Sequence, residues 1–356
     1  MPKKSTDPHA DWPLIPGVEL EREIATGSYA TVYGGRQISP ERPVAVKVLL
    51  QRSGTDEERS SARFEREGEL LSALKHPGIV EYYGSGVTER GRAYLLMELV
   101  DGPNLRDHID SNGPMSPDAV ISLGKRVAEA LRHAHNQGIM HRDVKAENIL
   151  LNRIEGATPD EIAFEPKLAD LGLARPDDND ISTGITLRGA IVGTPSIMAP
   201  EQFQDVGDVD YRVDIYALGC VMYFAMTGEA PFGRGSLPEM AFRKVHLPAP
   251  LAAKVNPKIP TAVSDFLAQL MQANRESRPQ TYDEVIAFLS STESTEPDLA
   301  VREGEVPAHL DVETEGEAQP SDPIVEGREE TRGGVGCLVP FLLALTGGAG
   351  YVVSHL

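Results

Sequence analysis

Hydrophobic and polar positions change period once along this chain. From Val18 to Leu50 apolar and polar residues alternate, as they do in strands with one buried face, with breaks at Gly27 and near Pro40. The run Val44-Ala-Val-Lys-Val-Leu49 is rich in β-branched residues and predicts a strand. Residues 57–74 predict a charged amphipathic helix that stops at Lys75-His-Pro-Gly78, because Pro77 and Gly78 end it. Residues 93–100 predict a further strand.

At Ser116 the pattern becomes helical. Ser116-Pro-Asp118 supplies an N-cap serine, a first-turn proline and an early acid. Val120, Leu123, Val127, Leu131 and Ala134 then follow at helical spacing up to Gly138. Helical patterns recur at 211–227, 262–273 and 282–289. A strand-rich first part followed by a helix-rich second part reads as an α+β architecture, and the chain shows no internal repeat.

Both ends differ from this middle. Residues 1–17 are polar and proline-containing, with no apolar stretch, so they predict a flexible leader and no secretory signal. Residues 290–331 hold 13 Asp and Glu against two Arg and have no periodicity. Such a segment buries too little apolar surface to offset chain entropy, which predicts an acidic disordered linker over 290–332. After Arg332 come 24 residues without a formal charge, and the 19 residues of 335–353 are long enough to cross a bilayer as a helix. Pro340 and four glycines weaken a helix in water and are better tolerated in a membrane. Residues 333–356 are therefore expected to be a single-pass cell-membrane anchor, with Arg328 and Arg332 keeping the preceding domain cytoplasmic. A helix or strand pair packed on the soluble domain is the alternative. Only three residues follow Val353, so no sensor beyond the membrane is expected.

Composition narrows the function. The 40% hydrophobic and 25% charged fractions fit a soluble globular core. The formal charge of −20 argues against nucleic acid as a partner. Cys220 and Cys337 stand alone in unlike contexts, too few for a disulfide framework or a zinc site, as suits a reducing cytoplasm.

Five motifs carry chemistry, in one order. Ala25-Thr-Gly27-Ser-Tyr-Ala30-Thr-Val32 follows a strand, and Gly27 would let backbone amides approach phosphates closely. Val44-Ala-Val-Lys47 puts a lysine on the next strand. His141-Arg-Asp143-Val-Lys145-Ala-Glu-Asn148 groups a base, a cation and a metal ligand within six residues, as phosphoryl transfer asks. Asp170-Leu-Gly172 offers a hard oxygen ligand suited to magnesium. Gly193-Thr-Pro195-Ser-Ile-Met-Ala199-Pro-Glu201 completes the series.

On these residues the chain resembles the eukaryotic-like (Hanks-type) serine/threonine protein kinases of the bacterial transmembrane type, over residues 18–289. The resemblance implies a bilobal kinase fold with a strand-rich N-lobe and a helical C-lobe. It implies transfer of the ATP γ-phosphoryl group to serine or threonine hydroxyls of protein substrates, with ATP and Mg2+ as the cofactors. Asp143 would accept the hydroxyl proton and Lys145 neutralise the moving phosphoryl group. Lys47 would grip the α and β phosphates, paired with Glu67. Asn148 and Asp170 would hold magnesium. Gly27 would cover the phosphates, although the flanking family glycines are Ala25 and Ala30 here. Val32, Ala45 and Leu150 would sandwich the adenine, backbone groups of Glu98 and Val100 would hydrogen-bond it, and Met97 would stand behind as gatekeeper. Read alone, these apolar residues fit plain core packing as well.

The resemblance also implies that Glu201 pairs with Arg278 and that Asp214 anchors the catalytic loop. Leu171, in place of the family phenylalanine, would fill a packing site. Thr194 would contact Asp143, and Ser182, Thr183 or Thr186 would carry activating autophosphorylation, for which a homodimer is one route. Serine/threonine specificity follows from Lys145 and the Gly193-Thr-Pro195 pattern. Two further readings use the same residues: a pseudokinase scaffold, suggested by the altered glycine loop, and a small-molecule kinase of the same fold, which the segment 193–201 argues against.

Overall fold

Five antiparallel strands, β1 (Val18–Thr26), β2 (Ala30–Gln37), β3 (Arg42–Leu49), β4 (Tyr82–Val87) and β5 (Ala93–Glu98), form one sheet in the order β1-β2-β3-β5-β4. The structure is a computed structural model that describes residues 12–27, 30–50, 68, 71–154, 164–171, 195–204 and 209–293. Alternation along β3 sorts its side chains. Val44, Val46 and Val48 are buried and pack with Ile15, Tyr33 and Leu96. Ala45 and Lys47 take the other face. Register carries that face across the sheet, since Val32 lies opposite Lys47 and Ala45 opposite Met97. Four residues named from the sequence therefore share one sheet face.

Trp12 and Ile15, assigned above to the leader, pack on the sheet. Ile15 is buried in the β3 cluster and the Trp12 ring lies 5.4 Å from that of Tyr33. Ordered packing thus begins before Val18. Of the helix expected over 57–74, only Gly68 and the turn at 71–74 are described. Leu71 and Leu74 there meet Ile79, Ala130 and Leu171.

The helical part follows with α1 (Leu105–Asn112), α2 (Pro117–Asn136), the hairpin β6 (Ile149–Arg153) and β7 (Phe164–Leu168), then α3 (Glu201–Gln204), α4 (Arg212–Thr227), α5 (Leu237–His246), α6 (Ala252–Val255), α7 (Thr261–Leu270) and α8 (Tyr282–Thr292). α2 starts as its sequence demands: Ser116 Oγ accepts from Ala119 N and Pro117 opens the first turn. α4 is buried at every position from Val213 to Thr227, so it is apolar all round and forms the axis of this part. α1 and α5 were not anticipated, although both carry signals. Asn104 caps α1 by accepting from Asp107 N, and Ser236 N donates to Glu239 Oε2 at the start of α5.

Two devices fix the parts that matter most. A Cβ on Gly102 would stand 1.9 Å from the Leu151 carbonyl oxygen, so only glycine lets the strand leaving β5 pass this close to β6. The Arg278 guanidinium, 0% exposed, meets Glu201 in two parallel bonds of 2.6 and 2.7 Å, the pair expected from the sequence. Removing one member leaves a buried charge alone. Arg278→Ala should therefore lower unfolding stability by about 3–5 kcal/mol in urea titration. A loss below about 1 kcal/mol would mean that Glu201 behaves as a solvated surface charge.

Candidate active site

The loop between α2 and β6 holds the third motif, and its shape is strained. Arg142 has φ 60° and Asp170, at the end of β7, has φ 54°. No other non-glycine residue described takes a positive φ. Each such residue costs roughly 1–3 kcal/mol, so surrounding bonds must hold it. For Arg142 they come from Asp214 in the first turn of α4. Its carboxylate, 1% exposed, accepts from His141 N at 2.8 Å and from Arg142 N at 2.7 Å. Burial pushes the Asp214 pKa up, and His141 with these amide bonds opposes that rise.

His141 ties the loop to the second strained residue. It is fully buried; Nδ1 accepts from Asp143 N at 3.2 Å and Nε2 faces the Ala169 carbonyl at 3.1 Å. One nitrogen accepting and the other donating is the pattern of a neutral imidazole. Burial pushes its pKa down, against the pull of Asp214 and Asp143. Ala169 N in turn donates to Asn148 O at 2.8 Å, so the third and fourth motifs are stitched together by backbone.

Around this frame the functional side chains converge. Lys145 Nζ lies 2.7 Å from Asp143 Oδ2. Asn148 Nδ2 donates to Asp143 O at 2.9 Å and to Oδ2 at 3.2 Å, so Oδ1 is the atom of this side chain that could take a ligand. From the sheet, Lys47 Nζ reaches Asp170 Oδ1 at 2.8 Å. Partial loss of water around Asp170 raises its pKa, but the Lys47 charge and hydrogen bond, with His141 and Lys145, outweigh this and hold the carboxyl below its usual range. The strand face and the loop thus meet through an ion pair between residues 123 apart in sequence.

The remaining expected residues fall as follows. Gly27 sits in the β1–β2 turn, its amide bonded to the Ala30 carbonyl at 2.9 Å, and the nearest atom to a Cβ there would be 3.7 Å away. Among the described residues no atom crowds that position. Val32, Ala45 and Met97 share the Lys47 face. Leu150 enters from β6, opposite Lys167 and bridged to Asn104. The Glu98 amide is taken by the Glu81 carbonyl at 2.8 Å, so only its carbonyl is left for a ligand, and Val100 follows two residues on. Sequence reading missed the Glu98 side chain, which pairs with Lys167 at 2.8 Å and ties the sheet's last strand to β7. Leu171 is buried, as its packing role requires. Glu67, Gly172, Ser182, Thr183, Thr186, Gly193 and Thr194 lie outside the described residues, as does the 335–353 segment. Among the described residues, no helix is long and apolar enough to cross a membrane.

Comparison with known proteins agrees with this geometry. The protein kinase domain family matches residues 18–287. A serine/threonine-protein kinase PknL of Mycobacterium tuberculosis is 34% identical over 289 residues, covering 81% of this chain and 68% of the relative. A serine/threonine-protein kinase PknB of Mycobacterium leprae is 34% identical over 297 residues, covering 82% of this chain but 45% of the relative, so this chain spans less than half of that protein. Among solved structures, Rad53 1–466 in complex with AMP-PNP has a TM-score of 0.61 at 24% identity, over 77% of this chain and 65% of that one.

The neutral, buried His141 sets a pH dependence. The unfolded chain takes up this proton near the ordinary histidine value, whereas the folded one resists it, so protons favour unfolding. Stability present above about pH 6.5 should be lost as pH falls below it. His76 and His108, also pushed down by burial, act in the same direction. A melting temperature that stays constant from about pH 7 to 5.5 would contradict this assignment.

Proposed function

The chain belongs to the protein kinase family, in its bacterial serine/threonine branch, and on that premise we propose how its residues perform phosphoryl transfer from ATP to protein hydroxyls. The observation that carries the reading is the Lys47–Asp170 pair, because it brings a phosphate-binding cation and a metal-binding carboxylate to one point beside Asp143. A structural ion pair alone would not need the cluster of Asp143, Lys145 and Asn148 next to it.

Asp143 accepts the proton of the incoming serine or threonine hydroxyl. Lys145 and Asn148 hold its carboxylate in place, so the base is positioned before substrate arrives. Lys145 serves twice, since the same ammonium can turn to the transferring phosphoryl oxygens. Lys47 holds the α and β phosphates, with Glu67 as its expected second partner. Val32, Ala45 and Leu150 enclose the adenine, the Glu98 carbonyl and Val100 backbone fix its edge, and Met97 closes the back. Gly27 leaves room for the phosphates beneath the β1–β2 turn. Asn148 Oδ1 and the Asp170 carboxylate are hard oxygen donors and fit Mg2+, which would spread the charge of the phosphates. Ser182, Thr183 and Thr186 are the candidate activating sites, with Thr186 preferred.

The test uses the full chain with labelled ATP and magnesium, and itself and a basic protein as acceptors. Asp143→Asn should reduce incorporation on serine and threonine by roughly 10²–10⁴-fold. Equal incorporation by both proteins would remove Asp143 as the base. No incorporation by the wild type, with ATP bound and Thr186 phosphorylated beforehand, would favour a scaffold.

We further propose that residues 335–353 anchor the chain in the cell membrane with the kinase domain cytoplasmic. The support is the length of an uncharged apolar stretch after an acidic linker. The full chain should float with liposomes and a truncation after Thr331 should not. If both stay at the bottom of the gradient, there is no anchor.

A further inference from the structure

α5 carries a buried lysine, Lys244, with no counter-ion among the described residues. Lys244 is 1% exposed, and among the described residues no carboxylate oxygen pairs with it. Its Nζ donates instead to two backbone carbonyls, Ser196 O at 2.8 Å and Met198 O at 2.7 Å. The rings of Tyr216 and Phe232 stand 5.1 and 5.6 Å from the ammonium. From α4, Cys220 and Tyr216 face it, and burial pushes both of their pKa values up, so neither supplies an anion near neutral pH. The Arg278 guanidinium lies 4.9 Å from the same Tyr216 ring, and Glu201 is committed to Arg278.

Burying an ammonium without an anion is costly, and a methionine of similar length would fill the space without that cost. What the lysine gains is two charge-assisted bonds to carbonyls two residues apart. Together they fix both the position and the direction of the stretch 196–198. That stretch also adjoins the catalytic loop. Ile197, Met198 and Gln202 line a cavity of about 10 Å³ with Arg142 and Asp214, which leaves room for a single water between the two segments. Gln202 Oε1 accepts from Ala199 N at 2.8 Å and braces the next turn.

We propose that Lys244 is a positioning residue for the protein substrate, holding residues 196–198 in the shape that seats the acceptor segment beside Asp143. This rests on the kinase reading above, and it takes residues 196–198 as the acceptor's platform because Ile197 and Met198 stand across that cavity from Arg142, the neighbour of Asp143. Burial brings the Lys244 pKa down to about 8, far below an exposed lysine, with Cys220 opposing the shift. Above that pH the two carbonyls lose a charged donor, and the platform loses its grip.

The full chain, as wild type, Lys244→Met and Lys244→Gln, would be assayed with myelin basic protein and ATP varied separately. The Met variant should raise the KM for the protein acceptor about tenfold, with a much smaller change in kcat and none in the KM for ATP. Gln keeps an N–H donor and should recover part of the loss. In the wild type, acceptor KM should climb between about pH 7 and 9, while in Lys244→Met it stays flat over that step. An unchanged acceptor KM in a folded Met variant, or equal rises in both KM values, would overturn the proposal and leave Lys244 a general structural residue. Should the Met variant not fold, an unaltered Gln variant together with a flat wild-type profile overturns it. A wild type that phosphorylates no acceptor overturns the kinase reading and this inference together.

Discussion

One buried carboxylate, Asp214, holds the site's geometry. It spends both oxygens on the amides of His141 and Arg142, and the second of these residues has a backbone that a side chain other than glycine resists. Without those bonds Arg142 would relax toward an ordinary φ. Asp143, next in sequence, would then swing away from Lys145 and Asn148. The placement of Asp214 is equally deliberate: it lies in the first turn of the most buried of the described helices, where the positive end of the helix favours an anion. The costs of burying the charge and straining the loop are met by the apolar mass around α4.

A second constraint joins the sheet to this frame. Lys47 is on its strand face because Val46 and Val48 must be inside, and Asp170 is at the end of β7 because His141 and Asn148 hold Ala169. Neither side chain was placed by the other. Their meeting at 2.8 Å is a consequence of two independent packing problems solved in the same molecule. Such a pair is half-open to solvent and modest in strength, which suits a contact that would part if, as proposed, phosphates and a cation come between its members.

Much of this was legible in the sequence because it depends on local pattern. The run Val44–Leu49 predicted the strand that carries Lys47, and Ser116-Pro-Asp118 predicted the start of α2. The Glu201–Arg278 pair was legible only through family resemblance, since nothing local links residues 77 apart. Three features escaped. α1 and α5 are short and their apolar stripes narrow, so the capping residues Asn104 and Ser236 were the better signals. The Glu98–Lys167 tie is a contact across the fold between residues that no local pattern links, and of Glu98 only the backbone was read. Trp12 and Ile15 were hidden among prolines, where composition suggests a loose leader, yet their large apolar side chains find the open edge of the β3 cluster.

Lys244 was the least legible, and the reason is instructive. In the sequence it closes the basic end of an amphipathic helix, where a lysine usually turns outward to water and favours the helix dipole. Only the fold shows that this position turns inward, between two aromatic rings and two carbonyls. Arg278 lies beyond one of those rings and makes a useful contrast. Both cations are buried, but Arg278 has a carboxylate and a planar fork to match it, so its charge is neutralised and the bond serves stability. Lys244 has neither. Its compact ammonium with rotatable donors satisfies two backbone carbonyls at once. Stability alone would not select a buried charge with no carboxylate among the described residues, whereas the proposed control of the backbone beside Asp143 would.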